Sequence, residues 1–263
     1  MTNTNNASTT ASSKAAAPKC WSILPAAGVG SRMQADRPKQ YLPLHDQFLM
    51  DHTLRLMLSY PRFEQLVLVL SETDPYWPDS AFANDPRIIR APGGSERCYS
   101  VLNGLQALEG LAAEDDWVAV HDVARPCLQH SDLDALFSSL ENSDSEKTGA
   151  CGAILASPTR DTMKRGIKQP DGTITIDHTV ERDQLWHALT PQVFRYAELK
   201  QALEFCLQNH LEVTDEASAM EQVNKQPLLI AGRADNIKVT RPEDLALAEL
   251  FLAQPLNQPL NQS

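Results

Sequence analysis

The sequence predicts an α/β fold in which a mostly parallel sheet carries helices on both faces. Three observations point there. Apolar runs such as Leu66–Leu70 (LVLVL) and Trp117–His121 (WVAVH) lack the alternation of a half-exposed strand and read as strands covered on both sides. Between such runs lie segments with apolar residues at helical spacing, for example Glu96–Leu108 with Val101, Leu105 and Leu108. Strand and helix signals then alternate along most of the chain, as they do when helices connect parallel strands.

In order, Cys20–Leu24 is the first strand. Asp51–Ser59 is a helix with Asp51 as its cap and Leu54, Met57 and Leu58 on one side. Leu66–Leu70 is the second strand and Arg87–Arg90 a short third, followed by the Glu96–Leu108 helix and the Trp117–His121 strand. Ser131–Leu140 starts on a capping serine, Gly152–Ala156 is a strand, and Tyr196–Gln208 is a helix. Leu228–Ala231 and Asn236–Val239 read as late strands. Thr240-Arg241-Pro242-Glu243 opens a final helix through Leu252 as a capping box with proline at the first turn.

Arg160–Asp183 breaks the alternation. Pro170-Asp171-Gly172 is a turn signal flanked by alternating Thr and Ile, which makes the segment a β-hairpin. It is polar on at least one side and buries little in its own domain, so a projecting arm that packs on something else is expected. The expected organisation is one domain over residues 20–252 that includes this arm. A polar tail over 1–19, rich in Ser, Thr, Asn and Ala, precedes it, and a Pro-broken tail over 253–263 follows.

Composition narrows the function. At 263 residues and 42% hydrophobic content a sizeable core is available. The 34 acidic and 23 basic residues give a net charge of −11, which argues against a nucleic-acid binder but not against a small phosphate ligand in a locally cationic cleft. No apolar run approaches the length of a membrane span. Cys20, Cys98, Cys127, Cys151 and Cys206 form no CxxC pair and read as buried free thiols of a cytoplasmic protein. The seven histidines show no metal-ligand spacing, and no Ser-His-Asp set is visible.

Ligands of a parallel sheet bind at the carboxyl ends of its strands. Four stretches fall there. Pro25-Ala26-Ala27-Gly28-Val29-Gly30-Ser31-Arg32 allows close approach of an anion to the backbone, with Arg32 and Lys39 adding charge. It is neither a dinucleotide fingerprint, since Met33 replaces the third glycine, nor a Gly-Lys-Ser/Thr phosphate loop. Gly93-Gly94-Ser95-Glu96-Arg97 opens a helix, with Ser100 one turn in, and suits a base or phosphate. Asp122, in His121-Asp122-Val123-Ala124-Arg125-Pro126, is an acid at a strand end, a common place to hold Mg²⁺ against a triphosphate. Asp235-Asn236-Ile237-Lys238 brings an acid and a cation to a strand edge. Each stretch alone reads equally as a turn, a cap or a surface ion pair.

Together they resemble one family. LPAAGxGxRM…PKQY, GGxER…SV, HDxARP, RDTMKR, HALTPQ, TDEASAME and ADNIKVTRPEDLALAE, in order from about residue 20 to 252, are similar to the motifs of 2-C-methyl-D-erythritol 4-phosphate cytidylyltransferases of the non-mevalonate isoprenoid pathway. The resemblance implies a Rossmann-like fold, a homodimer with interlocking arms, Mg²⁺, and transfer of CMP from CTP to the substrate phosphate. Arg32 and Lys39 fall on the family's transition-state cations, and Arg182 and Lys238 on the residues that position methylerythritol phosphate. Asp122 falls on the metal-associated acid, with Asp235 as a second expected metal residue. Ala26, Ala27, Gly28, Gly94, Ser100, Val123 and Arg125 are expected to contact substrates, as are Thr162, Thr190, Thr214 and Asp215. Ser95 stands where many members carry Asp, and Val123 where Ala is usual. Two rivals are a related enzyme acting on another sugar or polyol phosphate and a non-enzymatic nucleotide binder. Retention of all four cations, placed on both reactants, disfavours the binder.

Overall fold

The computed structural model describes residues 17–28, 33, 35–143 and 151–253. The tails expected over 1–19 and 253–263 fall almost wholly outside the described residues, and Arg32 falls outside them too.

The strands are β1 (Cys20–Pro25), β2 (Pro43–Leu44), β3 (Gln47–Phe48), β4 (Phe63–Leu70), β5 (Ile88–Pro92), β6 (Trp117–Val120), β7 (Gly152–Pro158), β8 (Met163–Lys168), β9 (Ile174–Val180), β10 (Trp186–Arg195) and β11 (Leu228–Ala231). The helices are α1 (Leu49–Ser59), α2 (Arg97–Gln106), α3 (His130–Asn142), α4 (Tyr196–Gln208), α5 (Glu216–Gln222) and α6 (Pro242–Leu252). Seven strands form one sheet in the order β11-β7-β10-β6-β1-β4-β5. All run parallel except β10, which lies antiparallel between β6 and β7.

The apolar runs are two-sided because each strand feeds two cores. In β1 and β4, Leu24, Leu66 and Leu68 face α1 and α3, where Leu54, Met57, Leu136 and Phe137 pack. Their neighbours Ile23, Val67 and Val69 face α2 and α4, against Val101, Leu105, Leu199 and Leu203. Each fully buried side chain of this size contributes about 1.5–3 kcal/mol. A truncation such as Leu68→Ala therefore costs roughly 2–5 kcal/mol. A third cluster joins Leu44, Leu49, Ala124, Val239 and Ala248. It ties the segment before α6 to the turn after β6, at the carboxyl end of the sheet. All five cysteines are free and buried, as the sequence reading expects.

β8 and β9 pair only with each other, as a separate two-stranded hairpin whose side chains are exposed along nearly its whole length. Its turn works as the residue types dictate. Gly172 takes φ +88°, and the Asp171 carboxylate accepts bonds from Thr173 N at 2.9 Å and Thr173 Oγ1 at 2.7 Å.

Several local expectations need correction. Asp51 does not cap α1. The helix starts at Leu49, and Asp51 is buried, accepting from Ser80 Oγ at 2.6 Å. Ser131 is not the cap of α3 either. Gln129 holds that position, and its backbone N–H donates to Asp132, 3.1 Å away. Asn236–Val239 joins no sheet because its backbone groups are taken elsewhere. Val239 N donates to Ala124 O, Asn236 O accepts from Arg125 Nη1, and Val239 O accepts from Lys39 Nζ. The box opening α6 uses Asp244 rather than Glu243, since Asp244 accepts from the backbone of Thr240 and Arg241. β10 and α5 had no counterpart in the sequence reading. Pro191 interrupts the apolar run of β10, and proline demotes a strand reading.

Candidate active site

Three connections at the carboxyl ends of β1, β5 and β6 converge on a cleft of about 550 Å³. Ala26, Ala27 and Gly28 form one wall, and Gly94, Ser95 and Ser100 another. The two walls touch directly. A Cβ added to Gly93 would stand 2.3 Å from Ala27 Cβ, so only glycine permits this approach. Lys39, Asp122, Val123 and Lys238 complete the lining.

The walls are fastened by side chains. Gln40, 3% exposed, donates to Ala26 O at 2.6 Å and so ties the Lys39 turn to the first wall. Lys39 Nζ donates to Val239 O at 3.0 Å, which fixes that cation near the segment carrying Lys238. On the second wall both amides are used within the chain. Gly93 N donates to Leu70 O at 2.7 Å and Gly94 N to Ser100 Oγ at 3.0 Å.

Asp122 is the electrostatic centre. It is 7% exposed, with Lys238 Nζ 2.7 Å from Oδ2, Arg97 Nε 3.2 Å from Oδ1 and Arg125 Nε 3.6 Å from Oδ2. Burial alone would raise its pKa. The charges of Arg97, Lys238 and Arg125 outweigh burial and hold the carboxyl well below the usual carboxylate range. Arg97 is itself clamped by Glu216, which is 1% exposed, through bonds of 2.6 and 3.0 Å. Burial disfavours the Arg97 cation, but Glu216 and Asp122 more than offset it and raise its pKa. Glu216 reaches Arg97 because β10 seats the start of α5. Gln192 donates to Asp215 Oδ2 at 2.8 Å and accepts from Ala217 N at 2.8 Å.

The structure thus brings Ala26, Ala27, Gly28, Lys39, Gly94, Ser100, Asp122, Val123 and Lys238 to one cleft. Arg125 and Thr190 lie buried behind it. Arg125 Nη1 donates to Asn236 O at 2.7 Å, and Thr190 Oγ1 accepts from Asp122 N at 3.1 Å. Thr214 and Asp215 sit at the start of α5, where Asp215 caps the helix by accepting from Ser218 N at 2.9 Å. Thr162 and Arg182 flank the hairpin and are exposed, with the Arg182 guanidinium bonded to Arg160 O. Asp235 is drawn to Arg233 (Nε to Oδ1 2.9 Å) and lines a different cavity from Asp122, beside His52 and His130. Among the described residues no group of three or more His, Cys, Asp or Glu side chains is placed to hold a metal ion.

Gln40, Arg97, Glu216 and His121 were not on the sequence-based list of candidates. The PKQY, GGxER, TDEAS and HDxARP motifs contain all four, but nothing in the motifs says that Arg97 and Glu216, 119 positions apart, form a pair.

What this arrangement can do follows from its charge. A cleft walled by small residues and lined by cations, in a chain of net charge −11, attracts phosphorylated ligands locally. The family model described as 2-C-methyl-D-erythritol 4-phosphate cytidylyltransferase matches residues 20–254. The protein of that name from Vibrio atlanticus is 51% identical over 232 residues, covering 88% of this chain and 94% of the relative. That from Tolumonas auensis is 52% identical, covering 88% and 96%. Among solved structures, the Francisella tularensis 2-C-methyl-D-erythritol 4-phosphate cytidylyltransferase superimposes with a TM-score of 0.75 at 33% identity, covering 89% of this chain and 99% of that one.

Proposed function

Because the chain belongs to the 2-C-methyl-D-erythritol 4-phosphate cytidylyltransferase family, and so transfers CMP from CTP to that acceptor in isoprenoid precursor synthesis, we propose that the two phosphates meet in the Asp122 cleft. One observation carries this: Lys39, Arg97 and Lys238 line the same cleft between two small-residue walls, Arg97 and Lys238 both on the Asp122 carboxylate.

The acceptor phosphate is the nucleophile. One of its oxygens bonds to the α-phosphorus of CTP, the bond from that phosphorus to the bridging oxygen of the β-phosphate breaks, and pyrophosphate leaves. The nucleophile is largely ionised at neutral pH and needs no general base, which fits the absence of a nucleophilic triad among the described residues of the cleft lining. The work left to the protein is positioning and neutralisation. Lys39, with Arg32, offsets charge growing on the leaving pyrophosphate, and Lys238 receives the acceptor phosphate. The base lies against the Gly93–Gly94 wall. Since both amides there are already engaged, carbonyl oxygens and Ser100 remain to meet the amino group of cytosine.

A hard cation fits this donor set only as part of a nucleotide complex, with Asp122 supplying one oxygen and phosphates and water the rest. Bound so, Mg²⁺ would neutralise the triphosphate. Asp235 lies on another cavity and would not share that ion.

The β8–β9 hairpin supports a homodimer. On one face it presents Ile174 and Ile176 to solvent, Ile174 at 75% exposure, and an isolated two-stranded hairpin is marginal in water. A twofold partner would cover this face and let each arm bring Arg182 and Thr162 to the neighbouring cleft. Five buried thiols fit a cytoplasmic setting. Among the described residues no helix is long and apolar enough to cross a membrane.

The test is pyrophosphate release from CTP with a panel of acceptors. Release should require 2-C-methyl-D-erythritol 4-phosphate, and equal release with other polyol phosphates, or with none, would reject the reading.

A further inference from the structure

We propose that His121 is a positioning residue: its imidazole sets the direction of the Thr190 hydroxyl, and through it fixes the backbone that presents Asp122 to the cleft. The functional half of this inference rests on the CMP-transfer reading of that cleft.

His121 is fully buried just after β6 and faces two groups. Its Nε2 lies 3.2 Å from the carbonyl oxygen of Arg125, and its Nδ1 lies 3.0 Å from Thr190 Oγ1. A carbonyl only accepts, so Nε2 carries the proton and donates. In a neutral ring Nδ1 is then a lone pair, to which the Thr190 hydroxyl donates. The Thr190 oxygen is left to accept, and the Asp122 backbone N–H donates to it at 3.1 Å.

The alternative tautomer fails at the Arg125 link. With the proton on Nδ1, the Arg125 carbonyl would face a lone pair, and the Thr190 hydroxyl would accept from both Nδ1 and Asp122 N and lose the ring as its own acceptor. The turn is then closed by Arg125 N, which donates to Asp122 O at 3.0 Å. One imidazole therefore fastens residues 121–125 at both ends. It also ties the turn to β10, where Asn236 Nδ2 donates to Thr190 O at 2.9 Å, two residues before Lys238. Asp122 and Lys238 are thus oriented by the same buried scaffold.

Two substitutions separate the links. His121→Asn places an amide oxygen where Nδ1 stands and keeps an acceptor for Thr190. His121→Gln reaches the Nε2 position, keeps a donor for Arg125 O and loses the acceptor. The inference predicts a fall in kcat of roughly tenfold for His121→Gln, the size of one unmade buried hydrogen bond, and only about threefold for His121→Asn. Thr190→Val should match His121→Gln, and the double variant should be no slower than the worse single. A role set only by side-chain volume would favour Gln over Asn.

Nitrogen-15 NMR of the full chain without substrates gives a readout independent of activity and decides the matter if the His121 variants do not fold. The His121 ring should be the Nε2–H tautomer. An Nδ1–H ring, a His121→Gln enzyme faster than His121→Asn, or additive losses in the double variant would overturn the inference. An Nε2–H ring in a wild-type chain that transfers no CMP would uphold the hydrogen-bond chain and remove the functional reading alone.

Discussion

Lys238 Nζ stands 2.7 Å from Asp122 Oδ2, and its side chain is the most exposed of the three cations on that carboxylate, at 36% against 28% for Arg97 and 9% for Arg125. The two arginines are anchored a second time, Arg97 by Glu216 and Arg125 by Asn236 O. Lys238 has no second anchor among the described residues. On the proposed reading, it is the cation that exchanges Asp122 for an incoming phosphate.

Lys238→Ala should therefore raise KM for the acceptor as well as lower kcat, whereas Lys39→Ala should lower kcat with little change in either KM. Loss of one such electrostatic contact costs on the order of 10²–10³ in rate. Both side chains lie at the cleft surface, so melting temperatures should hold within a few degrees. Steady-state kinetics of the two variants checks this, and near wild-type turnover in Lys39→Ala would remove its assigned role.

Base selection should follow from the used amides of Gly93 and Gly94. Carbonyl acceptors suit the amino group of cytosine and oppose the 4-oxygen of uracil. UTP should be poorer than CTP by on the order of 10² or more in kcat/KM, because buried acceptors would be left unpaired. ATP and GTP should be poorer still, being too large for the wall. Comparable use of UTP would show that the base is read elsewhere.

How much of this was legible beforehand depends on range. β1, β4 and β6 were readable because a strand covered on both faces is apolar at every position. Asp122 and the Ala26–Gly28 wall were readable because a strand end and small residues mark themselves locally. The hairpin was readable from Asp171 and Gly172, whose bonds are made within three residues. β10 was not, since Pro191 disguises a strand that tertiary pairing nonetheless accommodates. Glu216 and Gln40 were not, because their partners, Arg97 and Ala26 O, are set by the fold rather than by spacing. Asp235 marks itself locally too, but Arg233 claims it.

Acid should destabilise the protein in two successive windows. Burial, the largest influence on His121, lowers its pKa from 6.5 to about 4. Below pH 6.5 the unfolded chain therefore binds a proton that the folded chain refuses, and stability falls until about pH 4. The difference corresponds to about 3 kcal/mol. Asp122 is shifted down, so the stability it adds is present above 3.8 and is lost as pH falls below that value. Denaturant midpoints across pH 7 to 3 should fall throughout, and His121→Asn should flatten the upper window. A wild-type midpoint constant from pH 6.5 to 4 would contradict the buried neutral imidazole.

The arm is tested by mixing subunits. If Arg182 acts in the partner's cleft while Lys39 acts in its own, a heterodimer of Arg182→Ala and Lys39→Ala chains has one site with both defects and one with neither. Activity should then return to about half per dimer. If Arg182 acts in its own subunit, every site carries a defect and the mixture stays inactive. Absence of recovery, with heterodimers shown by native mass spectrometry, would refute the shared site.

The most direct measurement of the central claim is phosphorus NMR of the chain with CTP, Mg²⁺ and 2-C-methyl-D-erythritol 4-phosphate. Attack of the acceptor phosphate on the α-phosphorus predicts that the acceptor's monoester signal disappears in step with CTP. A pair of coupled diphosphate-diester signals and free pyrophosphate should appear in equal amounts, and Lys39→Ala should slow both on the order of 10²–10³-fold. CTP consumed while the monoester signal persists, or no consumption at all, would contradict the account.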